Sequence, residues 1–140
     1  MKSGELAVFF YGLFMDESLL ASKGIKASNA AVGYVDGYGL RIGRRATLVR
    51  DEASRAYGVL MTIQAEALRV LYSEESVADY VSEAVSVTMS DYTVESAVCY
   101  ILPEGKLEGT NSAYANSLLV LARKLGLPSE YLQRIRAQVT

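Results

Sequence analysis

Glu74 and Glu75 are the two residues of this sequence that most suggest chemistry. They are adjacent carboxylates, and they follow residues 64–72, whose helix-forming residues and apolar spacing predict a short amphipathic helix. The C-terminal end of a helix is the negative end of its dipole, so carboxylates placed there cost a few tenths to about 1 kcal/mol. A local rule broken without evident gain suggests a function, and a carboxylate can accept and donate a proton. The alternative interpretation is that both side chains point into water.

The composition of the chain narrows the chemistry further. The sequence has no histidine and a single cysteine, Cys99. Ser-His-Asp and Cys-His catalysis, His-ligated metal sites and thiolate zinc sites are therefore excluded, and proton transfer must use Glu, Asp, Lys or Tyr side chains. We expect neither a metal nor a cofactor. Cys99 lies in an apolar strand-like run and is expected to be a buried, unreactive thiol.

Length, charge and hydropathy predict one domain. A chain of 140 residues has a typical domain size and shows no linker or repeat, so residues 1–140 are predicted to form a single domain. The net charge of −2 provides no electrostatic footprint for nucleic acid. No apolar run approaches the roughly 18 residues of a membrane span, and the first residues lack a signal-peptide pattern. We therefore expect a cytoplasmic protein that binds neither nucleic acid nor a membrane.

Backbone groups that could bind an anion lie near the start of the chain. The apolar residues 6–10 predict a strand buried on both faces, and Gly12 follows it. Asp16 or Ser18 can then cap a short helix. A strand, a glycine turn and a helix start leave backbone N–H groups free to bind carboxylates and other anions. An ordinary turn with no ligand is the alternative.

The remaining sequence predicts strands followed by helices. Residues 30–43 place glycines between tyrosines and valines, which is typical of a curved strand in a closed or coiled sheet. Residues 46–49 and 56–63 predict two strands joined by a hairpin connection at residues 50–55. Further predicted elements are a strand at 81–89 and a strand apolar on both faces at 94–102. A helix with an apolar stripe from Ala115 to Leu125 follows, capped by Asn111 or Ser112 and ended by Gly126, and a last helix is predicted at 129–138. This order predicts an α+β fold, a small and mostly antiparallel β-barrel with helices packed outside.

Four short motifs occur in order along the chain. Residues 10–15 read Phe-Tyr-Gly-Leu-Phe-Met at the junction of the first strand and the first helix. Residues 46–49 and 57–60 belong to the predicted middle hairpin, and residues 71–76 read Leu-Tyr-Ser-Glu-Glu-Ser. Residues 125–131 contain Gly-Leu-Pro before a tyrosine-bearing helix. In this order the motifs resemble the gamma-glutamylcyclotransferase-like family, which includes the AIG2-like proteins.

The resemblance implies a fold, an activity and a binding loop. The implied fold is a mixed β-barrel with a cavity. The implied activity is that of a transferase-type enzyme that cyclises the gamma-glutamyl group of a small amine or peptide conjugate to 5-oxoproline. The substrate-binding residues implied by the Tyr-Gly loop are Tyr11, Gly12, Leu13 and Phe14, whose backbone N–H groups would hold the gamma-glutamyl group. No metal or cofactor is implied, the expected partner is a small gamma-glutamyl compound, and a homodimer is left open.

The resemblance also implies a catalytic glutamate that acts as general base and acid. Leu71, four residues earlier, brings Glu75 into register with that glutamate, and Glu74 is the alternative because one insertion would exchange them. Tyr80 is implied as a further substrate-binding residue, since the family often has a tyrosine a few residues beyond its glutamate.

Three positions depart from the family pattern. Leu13 stands where the family has a small polar residue after Tyr-Gly, Tyr72 stands in place of Asp, and Ser76 stands in place of Gly. Two other functions therefore stay open. One is a non-catalytic module that binds a small ligand on the same fold, and the other is a scaffold without a pocket.

Overall fold

The computed structural model describes residues 4–103 and 105–138 of the chain. Within this part, five strands are joined by short turns and helices. The strands are β1 (Glu5–Phe10), β2 (Ser28–Ile42), β3 (Ala46–Gln64), β4 (Val81–Met89) and β5 (Val94–Ile101). The helices are α1 (Glu17–Ser22), α2 (Ala65–Leu71), α3 (Ser112–Lys124) and α4 (Ser129–Arg136), and a short 3₁₀ turn spans Leu13–Met15.

The five strands form a closed barrel in the order β1-β3-β2-β4-β5. All neighbouring strands are antiparallel except β1 and β5, which close the barrel as a parallel pair with Val8 opposite Val98. Closure leaves the sheet without an unpaired edge. The predicted α+β barrel is therefore confirmed.

The prediction of a hairpin connection at residues 50–55 is wrong. β3 runs without a break from Ala46 to Gln64, and the chain reverses earlier, at residues 43–45 between β2 and β3. The charged and polar residues 50–55 are typical of a turn, but they belong to a strand whose residues here lie mostly at the surface.

A bulge accommodates these residues within the β2–β3 pair. Asp36 lies opposite Arg55 and Tyr38 lies opposite Arg50, so residues 51–54 of β3 face Gly37 alone. Gly37 adopts φ +84°, a conformation that favours glycine. Extra residues on one strand bend it and increase its twist, which helps a long β-ribbon to curl into a barrel.

Two strands predicted to be buried on both faces are less buried than predicted, because each is exposed over part of its length. In β1 only Val8, Phe9 and Phe10 are fully buried, and Leu6 is 38% exposed. In β5, Val94 is 64% exposed. A barrel strand directs alternate residues inward, and its outer face is buried only where a helix covers it. An uninterrupted apolar run in the sequence therefore overstates the burial.

The first helix begins, and the third helix begins and ends, at residues that the sequence indicates. The Asp16 carboxylate caps α1 by accepting a hydrogen bond of 2.9 Å from the Ser18 N–H group. The Asn111 side chain caps α3 by accepting from the Tyr114 N–H group at 2.9 Å, and Gly126 follows the helix with φ +79°. The start of α3 lies beside the loop after β1, since the Tyr114 hydroxyl accepts a hydrogen bond from the Leu13 N–H group, and it contributes to the candidate site. Among the described residues, no helix is long and apolar enough to cross a membrane.

Candidate active site

The loop after β1 turns tightly around Gly12. The Met15 N–H group donates to the Gly12 carbonyl at 3.0 Å, and the Asp16 N–H group donates to the Leu13 carbonyl at 3.1 Å. The Leu13 N–H group donates to the Tyr114 hydroxyl at 3.3 Å. The Gly12 and Phe14 N–H groups donate to no other residue in the described ranges 4–103 and 105–138. These two groups are available to bind an anion, as the strand-glycine-helix pattern predicts.

Gly12 is required by close packing. A Cβ atom at this position would lie 2.5 Å from the Tyr114 hydroxyl oxygen, much closer than an ordinary contact. Its φ of −111° is accessible to any residue, so the constraint comes from the tyrosine and not from the backbone conformation. The same phenol thus selects glycine at position 12 and holds the Leu13 N–H group.

A cavity of about 370 Å³ opens beside this loop. Its volume lies at the small end of the range of roughly 300–1,000 Å³ that is common for small-molecule sites. Its lining residues come from β1 and the loop after it, from α1 and its end, from the start of β3, from the segment that follows α2, and from α3. They are Phe9, Phe10, Tyr11, Gly12, Leu13, Phe14, Leu19, Lys23, Arg45, Ala46, Tyr72, Glu74, Ser76, Val77, Tyr80 and Tyr114.

Glu74 is the carboxylate at this cavity. Both of its oxygens lie 3.1 Å from the Lys23 ammonium nitrogen, and the two side chains are 40% and 31% exposed. Glu75 is exposed and lines a separate recess beside the cavity. The structure therefore brings Glu74, the alternative in the sequence analysis, to the cavity, and it leaves Glu75 outside. In a segment that is neither helix nor strand, neighbouring side chains need not share a direction, so motif register alone did not separate the two.

The segment 72–80, which carries Glu74, is fastened to the start of β3. The Arg45 guanidinium donates to both oxygens of Asp79, at 2.6 and 2.9 Å, and to the Ser76 carbonyl at 3.0 Å. The Tyr80 hydroxyl donates to the Ala46 carbonyl at 2.6 Å. The hydrogen bonds from Arg45 lower the pKa of the Asp79 carboxyl group. These contacts fix an otherwise irregular segment against the barrel.

Aromatic rings form one wall of the cavity. The Tyr72 ring stacks on Tyr100 with 3.9 Å between centroids, and it meets the Phe14 ring edge-on at 6.1 Å and the tilted Tyr80 ring at 6.1 Å. Burial raises the pKa of the Tyr72 and Tyr80 phenols, so both stay neutral near pH 7. The wall is therefore uncharged, although Tyr72 stands where the family pattern has an aspartate.

Tyr11 combines a cavity-lining position with a structural bond. Its side chain is buried, and its hydroxyl donates to the Tyr100 carbonyl at 2.7 Å. Burial raises the pKa of this phenol. The hydroxyl is engaged in joining the loop to β5, so Tyr11 would contact a ligand through its other atoms.

The described residues provide no metal centre. Within residues 4–103 and 105–138, no three acidic or cysteine side chains lie close enough together to hold a metal ion. The groups that the cavity does offer are the Glu74 carboxylate, which can transfer a proton, and the loop N–H groups, which can bind an anion.

Comparison with known families decides the relationship of the chain. The profile of the AIG2-like family matches residues 55–135, more than half of the sequence. The chain belongs to the AIG2-like family. The resemblance seen in the sequence motifs is confirmed. Comparison of this AIG2-like chain with curated proteins gives no significant match.

Solved structures show the same fold. A structure named gamma-glutamyl cyclotransferase is 17% identical, with 96% of this chain and 88% of that protein covered and a TM-score of 0.77. An uncharacterized protein from Homo sapiens is 20% identical, with 97% and 89% covered and a TM-score of 0.77. YkqA from Bacillus subtilis is 21% identical, with 99% and 55% covered and a TM-score of 0.80. At these identities the similarity concerns the fold of the AIG2-like chain and not its activity.

The residues that the sequence analysis chose for substrate binding lie around one cavity. They are Tyr11, Gly12, Leu13, Phe14 and Tyr80. Sequence reasoning missed two charged neighbours, Lys23 and Arg45. Lys23 follows α1 without a motif, and the basic cluster that contains Arg45 is typical of a solvated hairpin turn. Their contacts with residues 74–79 join distant parts of the sequence, so no local pattern could have indicated them.

Proposed function

We propose that this AIG2-like chain is a gamma-glutamylcyclotransferase-like enzyme. Its substrate would be a gamma-glutamyl conjugate of a small amine or peptide, and its products 5-oxoproline and the released amine. Family and fold support a gamma-glutamylcyclotransferase-like function at the level of the family. The observation that carries the proposal for this chain is that Glu74, Gly12 and Phe14 line the same cavity, and that the N–H groups of Gly12 and Phe14 donate to no other described residue.

In the proposed reaction the substrate attacks itself. The alpha-amine forms a C–N bond with its own gamma-carbonyl carbon, and the bond from that carbon to the conjugated amine breaks. Holding the glutamyl chain in a folded conformation makes this attack intramolecular, which can supply a large part of the rate enhancement. The alpha-amine must lose a proton before it attacks, and the leaving amine must gain one. Glu74 would carry out both transfers.

The backbone loop and Lys23 would handle negative charge. The Gly12 and Phe14 N–H groups can bind either the alpha-carboxylate or the oxyanion that develops on the gamma-carbonyl. Lys23 and Glu74 form a pair of opposite charges at the cavity. A gamma-glutamyl group carries an ammonium and a carboxylate on one carbon. It can therefore replace this ion pair with two new ones, ammonium with Glu74 and carboxylate with Lys23. The ammonium would then meet Glu74, which is the contact that proton transfer requires.

The test compares two neighbouring glutamates. Purified wild type, Glu74→Gln and Glu75→Gln are incubated with gamma-glutamyl amino acids, glutathione, gamma-glutamyl-lysine and gamma-glutamylbenzylamide, and 5-oxoproline is measured. Loss of a general acid and base is expected to lower the rate of Glu74→Gln by about 10²- to 10⁴-fold. Glu75→Gln is the matched control and should stay close to wild type. Equal rates for Glu74→Gln and wild type would remove Glu74 from the reaction, and a loss confined to Glu75→Gln would favour the original sequence-based choice.

A non-catalytic module that binds a small ligand is the second candidate. The Lys23–Glu74 ion pair favours it, because the cavity carboxylate already has a partner within the protein. If the protein is such a module, calorimetry should show that the wild type binds gamma-glutamyl compounds, and no 5-oxoproline should be released from any of them.

A further inference from the structure

The charged groups of the cavity are already neutralised within the protein. Of the described residues, three charged side chains line it, namely Lys23, Arg45 and Glu74. Lys23 and Glu74 pair with each other. Arg45 is engaged by Asp79 through two hydrogen bonds, and its guanidinium lies 5.4 Å from the centroid of the Tyr80 ring.

A gamma-glutamyl group can use only part of this arrangement. Its ammonium and carboxylate match Glu74 and Lys23, together with the loop N–H groups. For a further negative charge on the conjugated amine, the remaining cation among the described lining residues is Arg45, and Arg45 is held by Asp79 and by the Ser76 carbonyl. Moving an ion from water to a cavity wall that offers no free partner is costly.

Much of the remaining cavity surface is apolar and accessible. Leu13, Phe14, Leu19 and Val77 line it, and all four are only partly buried. Beside them lies the neutral Tyr72 ring. Apolar side chains that stay uncovered around a concave site provide favourable contacts for an apolar ligand group.

We propose that the amine part of the conjugate bears no charged group and carries an apolar group that packs on this surface. The proposal rests on the proposed function, because it assigns the remainder of the same cavity once the gamma-glutamyl group has been accommodated. The substrate class is therefore gamma-glutamyl amides of apolar amines, in preference to gamma-glutamyl amino acids or peptides, whose released part carries a carboxylate.

Two probes of matched shape test this preference. Gamma-glutamylbenzylamide and gamma-glutamyl-4-carboxybenzylamide differ by one carboxylate on the same ring. For each, wild-type kcat/KM for 5-oxoproline release and Kd by calorimetry are measured. We expect the neutral probe to be favoured by at least about tenfold in both quantities. Equal or better use of the carboxylated probe overturns the proposal.

Matched variants locate the preference in the cavity. Val77→Ser is expected to raise KM for gamma-glutamylbenzylamide by roughly tenfold and to raise that for gamma-glutamylmethylamide by much less, because the smaller amide makes less contact with the wall. Val120→Ser is the same substitution at a position on α3 that is 63% exposed and outside the cavity, and it should have no effect. Equal effects of both variants, or an equal effect of Val77→Ser on both amides, would overturn the location.

Binding separates this proposal from the proposed function. If no probe yields 5-oxoproline while the neutral probe still binds at least about tenfold more tightly than the carboxylated one, the enzymatic proposal fails and the apolar preference is supported. If neither probe binds nor reacts, both proposals are overturned.

Discussion

Gly12→Ala offers a sharp test of the geometry of the anion-binding loop. The new Cβ would lie 2.5 Å from the Tyr114 hydroxyl oxygen and 3.9 Å from the ring carbon that bears it. Only the hydroxyl is therefore in the way. The ring must shift, which breaks the hydrogen bond from the Leu13 N–H group to that hydroxyl. Overpacking of this kind costs about 1–3 kcal/mol of unfolding free energy, and the lost hydrogen bond adds about 0.5–1.5 kcal/mol.

Tyr114→Phe is expected to rescue this variant. Alone, it loses the Leu13 hydrogen bond and costs about 0.5–1.5 kcal/mol. In the double variant the nearest ring atom is 3.9 Å from the alanine Cβ, an ordinary contact, so the clash disappears. The double variant should be about as stable as Tyr114→Phe, a departure from additivity of about 1.5–4.5 kcal/mol, because the clash is gone and the Leu13 hydrogen bond is lost only once.

Urea unfolding measures these free energies, and the melting temperature provides a second readout at roughly 2–4 °C per kcal/mol. Tyr80→Phe is the matched control. It removes a phenolic hydroxyl bonded elsewhere, to the Ala46 carbonyl, so its cost should add to that of Gly12→Ala. Simple additivity of Gly12→Ala with Tyr114→Phe would refute the claim that the Tyr114 hydroxyl selects glycine at position 12.

Two further predictions concern ionisable groups. Burial raises the pKa of the Cys99 thiol to about 12, so the native protein at pH 8 should stay unlabelled by iodoacetamide, and one equivalent should react after unfolding in urea; rapid native labelling would contradict its burial. Arg45 lowers the pKa of Asp79, so the contribution of this pair to stability is present above about pH 4, the ordinary pKa of an unfolded aspartate, and is lost as the pH falls through the lower native value. Asp79→Asn should therefore melt below wild type at pH 7 and converge with it under acid, whereas a gap that stays constant down to about pH 2 would disprove the linkage.

Elements with a local signal could be predicted from the sequence. The apolar stripe of α3 lies between the Asn111 cap and Gly126, and both ends are visible in the residues themselves. The alternation of Val81–Met89 predicts β4 with the bounds that the structure gives. In each case the pattern and the structure are set by neighbours in the sequence, so little depends on the rest of the fold.

Features set by tertiary contacts could not be predicted in the same way. Residues 50–55 look like a turn because a bulge and a turn use similar polar residues, and only the partner strand distinguishes them. The relative placement of Glu74 and Glu75 depends on contacts from Lys23 and Arg45, which come from remote parts of the chain. A short motif narrows the candidate carboxylate to two neighbouring residues. Contacts from remote parts of the chain determine which of the two lies at the cavity.

The parallel seam between β1 and β5 has a consequence for the order in which the molecule assembles. β2 and β3 are consecutive and joined by a tight turn, so they can pair early, whereas the bond from Tyr11 to Tyr100 spans 89 positions. Contacts between distant residues form late because closing a long loop costs entropy before any contact compensates for it. The Tyr-Gly loop lies at the end of this seam. The cavity is therefore complete only after the last long-range closure, and a partly folded chain with its β2–β3 ribbon in place would contain the two longest strands of the barrel but, of the cavity lining, only Arg45 and Ala46.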